Sequence, residues 1–283
     1  MALYTASVVR IVTDSTADLS EPQQREAGIT VVPLNVRFGD EVFQDHVELS
    51  GDEFFARLKA SPQLPKTSQP PVGAFEDVFR RQREAGDDVV AVHISSKVSG
   101  TFGAAEMAAK SVDGQHIDVI DSLTASMALG FLALEGARLA KTGASRQQVA
   151  DRIRALVPKA RVLAAIDTLT YLEKGGRIGH ARALLGSLLN FKPLITLQDG
   201  VVAPLGRARG RLQAIDKLVE LLRRDGSLTN LAVLHGGALA DAERLRDRIA
   251  GSYPGLEIPL AETGAVIGTY TGPGVIGFTY LTA

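Results

Sequence analysis

The chain contains neither cysteine nor tryptophan. Without cysteine, disulfides, thiolate metal sites and cysteine nucleophiles are excluded, and the composition suits a reducing, cytoplasmic compartment. Long apolar runs are also missing: Met127 to Leu134, the most apolar stretch, falls far short of the ~20 residues that span a bilayer. Met1 to Arg10 lacks the basic start and apolar run of a signal peptide. Neither sign of charge dominates, with 31 Lys and Arg against 32 Asp and Glu for a net of -1. That balance offers no net attraction to nucleic acid or to an anionic bilayer. The expectation is a soluble cytoplasmic protein with no nucleic acid partner and no integral membrane segment.

Enzyme signatures are equally scarce. No Gly directly precedes a Lys, which removes the phosphate-binding loop, and no Ser sits in a Gly-x-Ser-x-Gly elbow. The five His, at 46, 93, 116, 180 and 235, show no metal-ligand spacing. Gly272-Pro273-Gly274-Val275-Ile276-Gly277 formally matches a dinucleotide fingerprint. That motif needs a helix directly behind it, and six residues to Ala283 leave no room for one.

What is present is an alternation of strand and helix patterns over 283 residues, enough for two modest domains. Val8 to Thr13 reads as a strand, Pro22 to Ala27 as helical and Ile29 to Phe38 as a second strand. Helical spacing returns at Phe54, Phe55 and Leu58, then at Val72, Phe75, Val78 and Phe79. Val89 to Ile94 and Ile117 to Ile120 have the apolar character of parallel strands. A helix over Thr124 to Lys141, closed by Gly143, and another over Ser145 to Leu156, capped by Ser145, lead to Pro158. Beyond it come a strand at Val162 to Ile166 and a loop at Lys174 to Arg177. A hairpin follows around Gln198-Asp199-Gly200, between Pro193 to Leu197 and Val201 to Leu205. Leu212, Ile215, Leu218, Val219 and Leu222 mark an amphipathic helix stopped by Gly226. Strands at Leu231 to Leu234 and Leu256 to Leu260 flank a helix near Asp241 to Ile249. The last twenty residues read as a final β-hairpin. The fold class is α/β with two α/β domains, split near Pro158. Residues 1–158 form a mostly parallel sheet flanked by helices, and residues 159–283 a mixed sheet with helices.

Three strands of the first half run into hydroxyl-rich loops: Asp14-Ser15-Thr16, Ser95 to Thr101, and Asp121 to Thr124. In a parallel sheet those loops share the rim where ligands bind. Each loop alone is explained by helix capping; three on one rim favour a binding site whose donors suit an anion. Lys66-Thr67-Ser68-Gln69-Pro70-Pro71 is a further polar insertion. Its prolines suit a helix start, with Ser68 or Gln69 as cap. His93 sits inside an apolar strand and reads as a core residue. His235, at a strand end before Gly236-Gly237, is the better functional candidate.

Five ordered segments resemble a known family. They are Ile11 to Asp18, Thr67 to Pro70, Ser95 to Thr101, Leu172 to Ile178 and Gly268 to Gly274. The sequence is similar to the DegV family, whose studied members bind fatty acids, some as the acyl-carrying subunit of a bacterial fatty acid kinase. The resemblance implies a long-chain fatty acid with its tail buried along domain 1–158, and domain 159–283 closing over the head group. It implies that Thr67 and Ser99 bind the carboxylate, with Ser68, Asp14, Ser15, Arg177, His235 and Tyr270 as supporting head-group or partner contacts. The family commonly carries His where this chain has Tyr270, whose hydroxyl still donates but titrates near pH 10 rather than near neutrality. The function expected is a non-catalytic lipid-binding or lipid-transport protein of fatty acid metabolism. It takes no metal or cofactor and presents its ligand to a separate ATP-dependent kinase. The alternative is an enzyme acting on a small phosphorylated or carboxylated metabolite through Asp14, His235 and Arg177.

Overall fold

The computed structural model describes residues 8–186 and 191–283, so most of the segment read above for a leader lies outside the described residues. The chain opens with β1 (Val9–Asp14), α1 (Glu21–Ala27) and β2 (Ile29–Val32). It continues through β3 (Asn35–Phe38), β4 (Glu41–Gln44), α2 (Gly51–Ala60), β5 (Lys66–Ser68) and α3 (Val72–Glu84). Next come β6 (Asp88–His93), α4 (Thr101–Val112), β7 (Ile117–Asp121), α5 (Met127–Ala140) and α6 (Arg146–Leu156). The second half holds β8 (Ala160–Ala165), α7 (Thr170–Lys174), β9 (Phe191–Gln198), β10 (Val201–Arg209), α8 (Gly210–Arg224) and β11 (Leu228–His235). It ends with α9 (Leu239–Ile249), β12 (Leu260–Glu262), α10 (Ala265–Thr271) and β13 (Ile276–Thr282).

The architecture is α/β. A parallel sheet runs β2-β1-β6-β7, a mixed sheet runs β10-β9-β8-β13-β11-β12, and a small antiparallel sheet runs β4-β3-β5. On one face of the parallel sheet, Val12, Val89 and Ala91 pack against Phe75 and Phe79 of α3 and the alanines of α4. On the other, Ile11, Val90 and Val92 meet α5 and α6. The mixed sheet presents Leu163, Leu194, Val233 and Phe278 to α8 and α9. Helix α5 shares its core with Ala232 and Leu281 of the mixed sheet as well. It is therefore apolar nearly all round, with Met127 to Ala133 wholly buried, as a helix covered on several sides must be.

Several expectations shift. Ile29 to Phe38 is two strands in two sheets, because Pro33 cannot donate to a ladder and the chain turns at Leu34. The insertion at Lys66 to Ser68 is a strand, β5, paired with β3. Neither Ser68 nor Gln69 caps α3; its N-cap is Pro71, with no side-chain bond. The helix expected from Thr124 starts only at Met127, since Leu123 and Ser126 adopt φ of 50° and 57°. The strand expected at Leu256 to Leu260 is displaced to β12, whose register puts Leu260 beside Val233 and Glu262 beside His235. The closing hairpin is instead a helix, α10, followed by the single strand β13, which runs antiparallel to β8 and β11. Leu212, in the first turn of α8, is 71% exposed and stands outside that helix's buried stripe. Ser145 does cap α6, in a full capping box. The Asp199-Gly200 turn has φ of 49° and 81°, the left-handed pair that a two-residue hairpin requires.

Gly130 lets α5 approach the turn after β1: a Cβ there would lie 2.7 Å from the Ala17 carbonyl oxygen and 2.9 Å from the Met127 sulfur. Gly103, within α4, has no atom in that space within 4 Å. Gly130→Val is expected to destabilise by about 1–3 kcal/mol through overpacking. Gly103→Ala should stabilise by up to about 1 kcal/mol from helix propensity. Urea unfolding of the two variants checks both signs.

Candidate functional site

The face of the mixed sheet opposite α8 and α9 does not pack solidly against the first half. A cavity of about 300 Å³ lies between Val162, Ala164, Ile195, Leu197, Val202 and Leu234 on that side and Leu34, Ile94, Val98 and Ala125 on the other. Strand alternation explains the first wall, since Val162 and Ala164, like Ile195 and Leu197, are two apart and share a face. Helix α10 contributes Val266 and Ile267.

One end of the cavity is polar. Thr67, Ser68 and Gln69 come from β5 and its exit, Ser99 from the loop after β6, Arg177 from the loop after α7, and Tyr270 from α10. The Thr67 and Tyr270 hydroxyls share a hydrogen bond of 2.5 Å across 203 residues of chain. Ser99 Oγ bonds the Thr101 hydroxyl at 2.8 Å and accepts from the Thr101 amide at 3.3 Å. Arg177 donates to the carbonyls of Val98 and Gly175, and its guanidinium lies 5.1 Å from the Tyr270 ring centroid. That is cation–π distance.

The other residues singled out from sequence sit elsewhere. The β1, β6 and β7 ends do share one rim, but most of the rim hydroxyls and carboxylates are consumed within the fold. Asp14 is fully buried and accepts from the amides of Thr16 and Ile94, from the Thr16 hydroxyl and from His93 Nδ1. Ser15 donates to Asp45 at 2.8 Å and accepts from the Leu34 amide. His93 is a core residue, edge-on to Phe75. His235 is buried, its Nδ1 has no hydrogen-bond partner, and burial lowers its pKa. Neither Asp14 nor His235 lines the cavity. Thr67, Ser68, Ser99, Arg177 and Tyr270 are brought together; Asp14, Ser15 and His235 are not.

Sequence reading missed a network of acids behind α10. Asp18 accepts from the Gly264 amide at 3.0 Å, His46 Nε2 at 3.2 Å and Ser126 Oγ at 2.6 Å. Asp45 accepts from the amides of Ala265 at 2.7 Å and Val266 at 3.3 Å. Helix α10 has no side-chain cap of its own, its N-cap being Gly264, and three successive amides find partners more than 200 residues away. Space requires glycine there: a Cβ on Gly264 would lie 2.3 Å from His46 Nε2 and 2.7 Å from Asp45 Oδ1. Asp18 and His46 both have positive φ, at 50° and 61°, and the only signal in the sequence was that Asp and His tolerate it.

Burial alone would lower the pKa of His46. The bond to Asp18 and the charges of Asp45, Asp18 and Glu262 outweigh burial and push it up to about 9. Asp45 is shifted upward by burial, opposed by His46 and the Ser15 bond. Glu262 is also raised, by burial and by the neighbouring Asp52 charge.

A parallel-sheet unit facing a mixed sheet across an oily cavity with a hydroxyl-lined end defines a class of α/β binding proteins. The family model for "Uncharacterised protein, DegV family" matches residues 8–283, and this chain belongs to the DegV family. A DegV domain-containing protein of Halalkalibacterium halodurans is 37% identical over 277 residues, covering 96% of this chain and 98% of that protein. A Thermus thermophilus DegV family protein, described for its fatty acid binding, superposes with a TM-score of 0.91 at 35% identity, covering 98% of this chain and 100% of its own. DegV of Bacillus subtilis, described as a fatty acid binding protein, superposes at 0.90 with 33% identity, with the same coverage. Among the described residues no cluster of His, Asp and Glu could hold a metal ion, and no helix is long and apolar enough to cross a membrane.

Because the folded His46 pKa lies above its usual 6.5, its contribution to stability is complete below about pH 6.5 and is lost as pH rises through about 9. Because the residue is partly exposed, solvent screening holds the contribution to about 1 kcal/mol. Thermal unfolding followed from pH 6 to 10 should show that decline, and His46→Gln should flatten it.

Proposed function

We propose that this chain holds a long-chain fatty acid, with its carboxylate at the Thr67, Ser99 and Tyr270 end and its tail along the apolar wall of the cavity. The observation that carries this reading is the joining of a polar end to an otherwise oily cavity of about 300 Å³. Such a shape suits a ligand with one anionic head and a long aliphatic body. About fifteen methylenes at ~0.8 kcal/mol each supply on the order of 10 kcal/mol before the costs of binding. Two or three hydroxyl donors, with Arg177 at the edge, satisfy the carboxylate without burying a cation.

The lining suggests a division of labour different from the expectation that the tail lies along residues 1–158. Thr67 and Ser99 in the first half take the head group, while β8, β9, β10 and β11 of the second half supply much of the tail's wall. Residues 1–158 and 159–283 then act as two halves of one clasp. The chain itself makes and breaks no bond on this reading. It shields the tail and offers the carboxylate, beside the exposed Arg177, to a separate ATP-dependent kinase or to lipid transport in the cytoplasm. The metabolite-enzyme alternative needs Asp14, His235 and Arg177 to converge, and only Arg177 reaches the cavity.

Protein purified from a bacterial host should release a long-chain fatty acid on denaturation, detected by mass spectrometry. Thr67→Ala and Ser99→Ala should each weaken fatty acid binding by roughly tenfold, the loss of one charge-assisted hydrogen bond. Unchanged lipid content in both variants would place the carboxylate elsewhere.

A further inference from the structure

We propose that Asp45 and Asp18 are positioning residues for the head-group end, fixing α10 so that the Tyr270 hydroxyl meets Thr67. The inference rests on the fatty-acid reading above. Neither carboxylate lines the cavity, yet Ser126, Val266 and Leu34, each bonded to one of these two residues, do. Asp45 holds the amides of Ala265 and Val266, and the Val266 side chain is part of the cavity wall. Asp18 holds Gly264 at the start of α10 through one oxygen and the Ser126 hydroxyl through the other. Ser126 lines the cavity from the first half, so a single carboxylate ties that wall to the start of α10, whose Val266, Ile267 and Tyr270 line it too.

Tyr270 lies five residues beyond Ala265, about 7.5 Å along the helix at 1.5 Å per residue. A tilt at the anchored end therefore moves the phenol by a comparable amount, and the 2.5 Å bond to Thr67 is lost once the phenol has moved by about an ångström. Ala265 and Val266 pack against Phe54 and Phe55 of α2, but α10 supplies no side-chain cap at its start, where the N-cap is a glycine, so the direction of its first turn is set by Asp18 and Asp45. The anchor itself is rigid. Ser15 bonds the second oxygen of Asp45, and the Asp45 amide donates to the Leu34 carbonyl at 2.9 Å. His46 Nε2 adds a third partner to Asp18. Asp18, His46 and Ser126 are three of the five non-glycine residues with positive φ among the described residues. Strained backbone of this kind persists where its surroundings over-determine it.

A general structural role and a positioning role differ in what they do to ligand selectivity. Palmitate and its methyl ester fill the cavity alike, but only the acid gains fully from the one hydroxyl proton that the Thr67–Tyr270 pair has left to donate. The wild-type chain should prefer the acid by about tenfold or more. In Asp45→Ala that preference should shrink to within about twofold, with ester affinity little changed. Asp45→Asn, which keeps an oxygen for the Ala265 amide, should recover part of it and serves where the alanine variant does not fold. Hydrogen exchange on the ligand-free protein should show faster exchange in residues 267–271 for Asp45→Ala. Equal loss of acid and ester affinity, or an unchanged preference for the acid, overturns the positioning role while leaving the fatty-acid reading intact. A wild-type chain that binds neither palmitate nor its ester overturns that reading and the positioning role together.

Discussion

The structure turns on a shortage at the start of one seven-residue helix. Helix α10 begins with amides that have no partner within it, as every helix does, and the residue before it is a glycine that cannot cap. Asp18 and Asp45, from the opening segment of the chain, supply the missing acceptors. A carboxylate buried this deeply is costly unless several donors converge on it, so each side of the contact satisfies the other. The first and last parts of the chain are thereby joined at the start of α10.

Other links at the cavity's edge have the same character. Ser95 Oγ donates to the Gly200 carbonyl at the tip of the β9–β10 turn, and Arg177 reaches the Val98 carbonyl. Both tie a loop after β6 to a loop of the second half. Directional polar bonds specify how these loops meet, which non-directional apolar packing leaves open.

Much of the fold was legible because its signals are local. Capping at Ser145, the hairpin at Asp199-Gly200 and the alternation of short apolar strands with helices need only neighbouring residues to be read. The failures came where distant residues decide. The closing segment looks like a hairpin from its Gly, Thr and Val content, and it forms α10, whose first amides find acceptors at positions 18 and 45. The delayed start of α5 follows from Ser126 turning to reach Asp18. At the candidate site, Thr67, Ser99, Arg177 and Tyr270 were found through motifs, while Asp45 and His46 carry no motif at all. The hydroxyls around Asp14 were misleading in the opposite sense: their chemistry is that of a binding rim, but internal partners use it up.

On the fatty-acid reading, the choice of neutral donors for the head group has a consequence for what happens next. A carboxylate buried against a lysine or arginine would be held in an ion pair whose partner is costly to leave unpaired, and its electron density would be drawn toward the cation. Hydroxyls from Thr67, Ser99 and Tyr270 orient the same group with weaker, individually replaceable bonds. Arg177, the cation among the described residues that line the cavity, stays exposed and stacked on the Tyr270 ring, where solvent screens it from the carboxylate. Such an arrangement retains the ligand chiefly through its tail and leaves the head group free to react. On this reading oil provides the affinity, and hydroxyls provide the orientation.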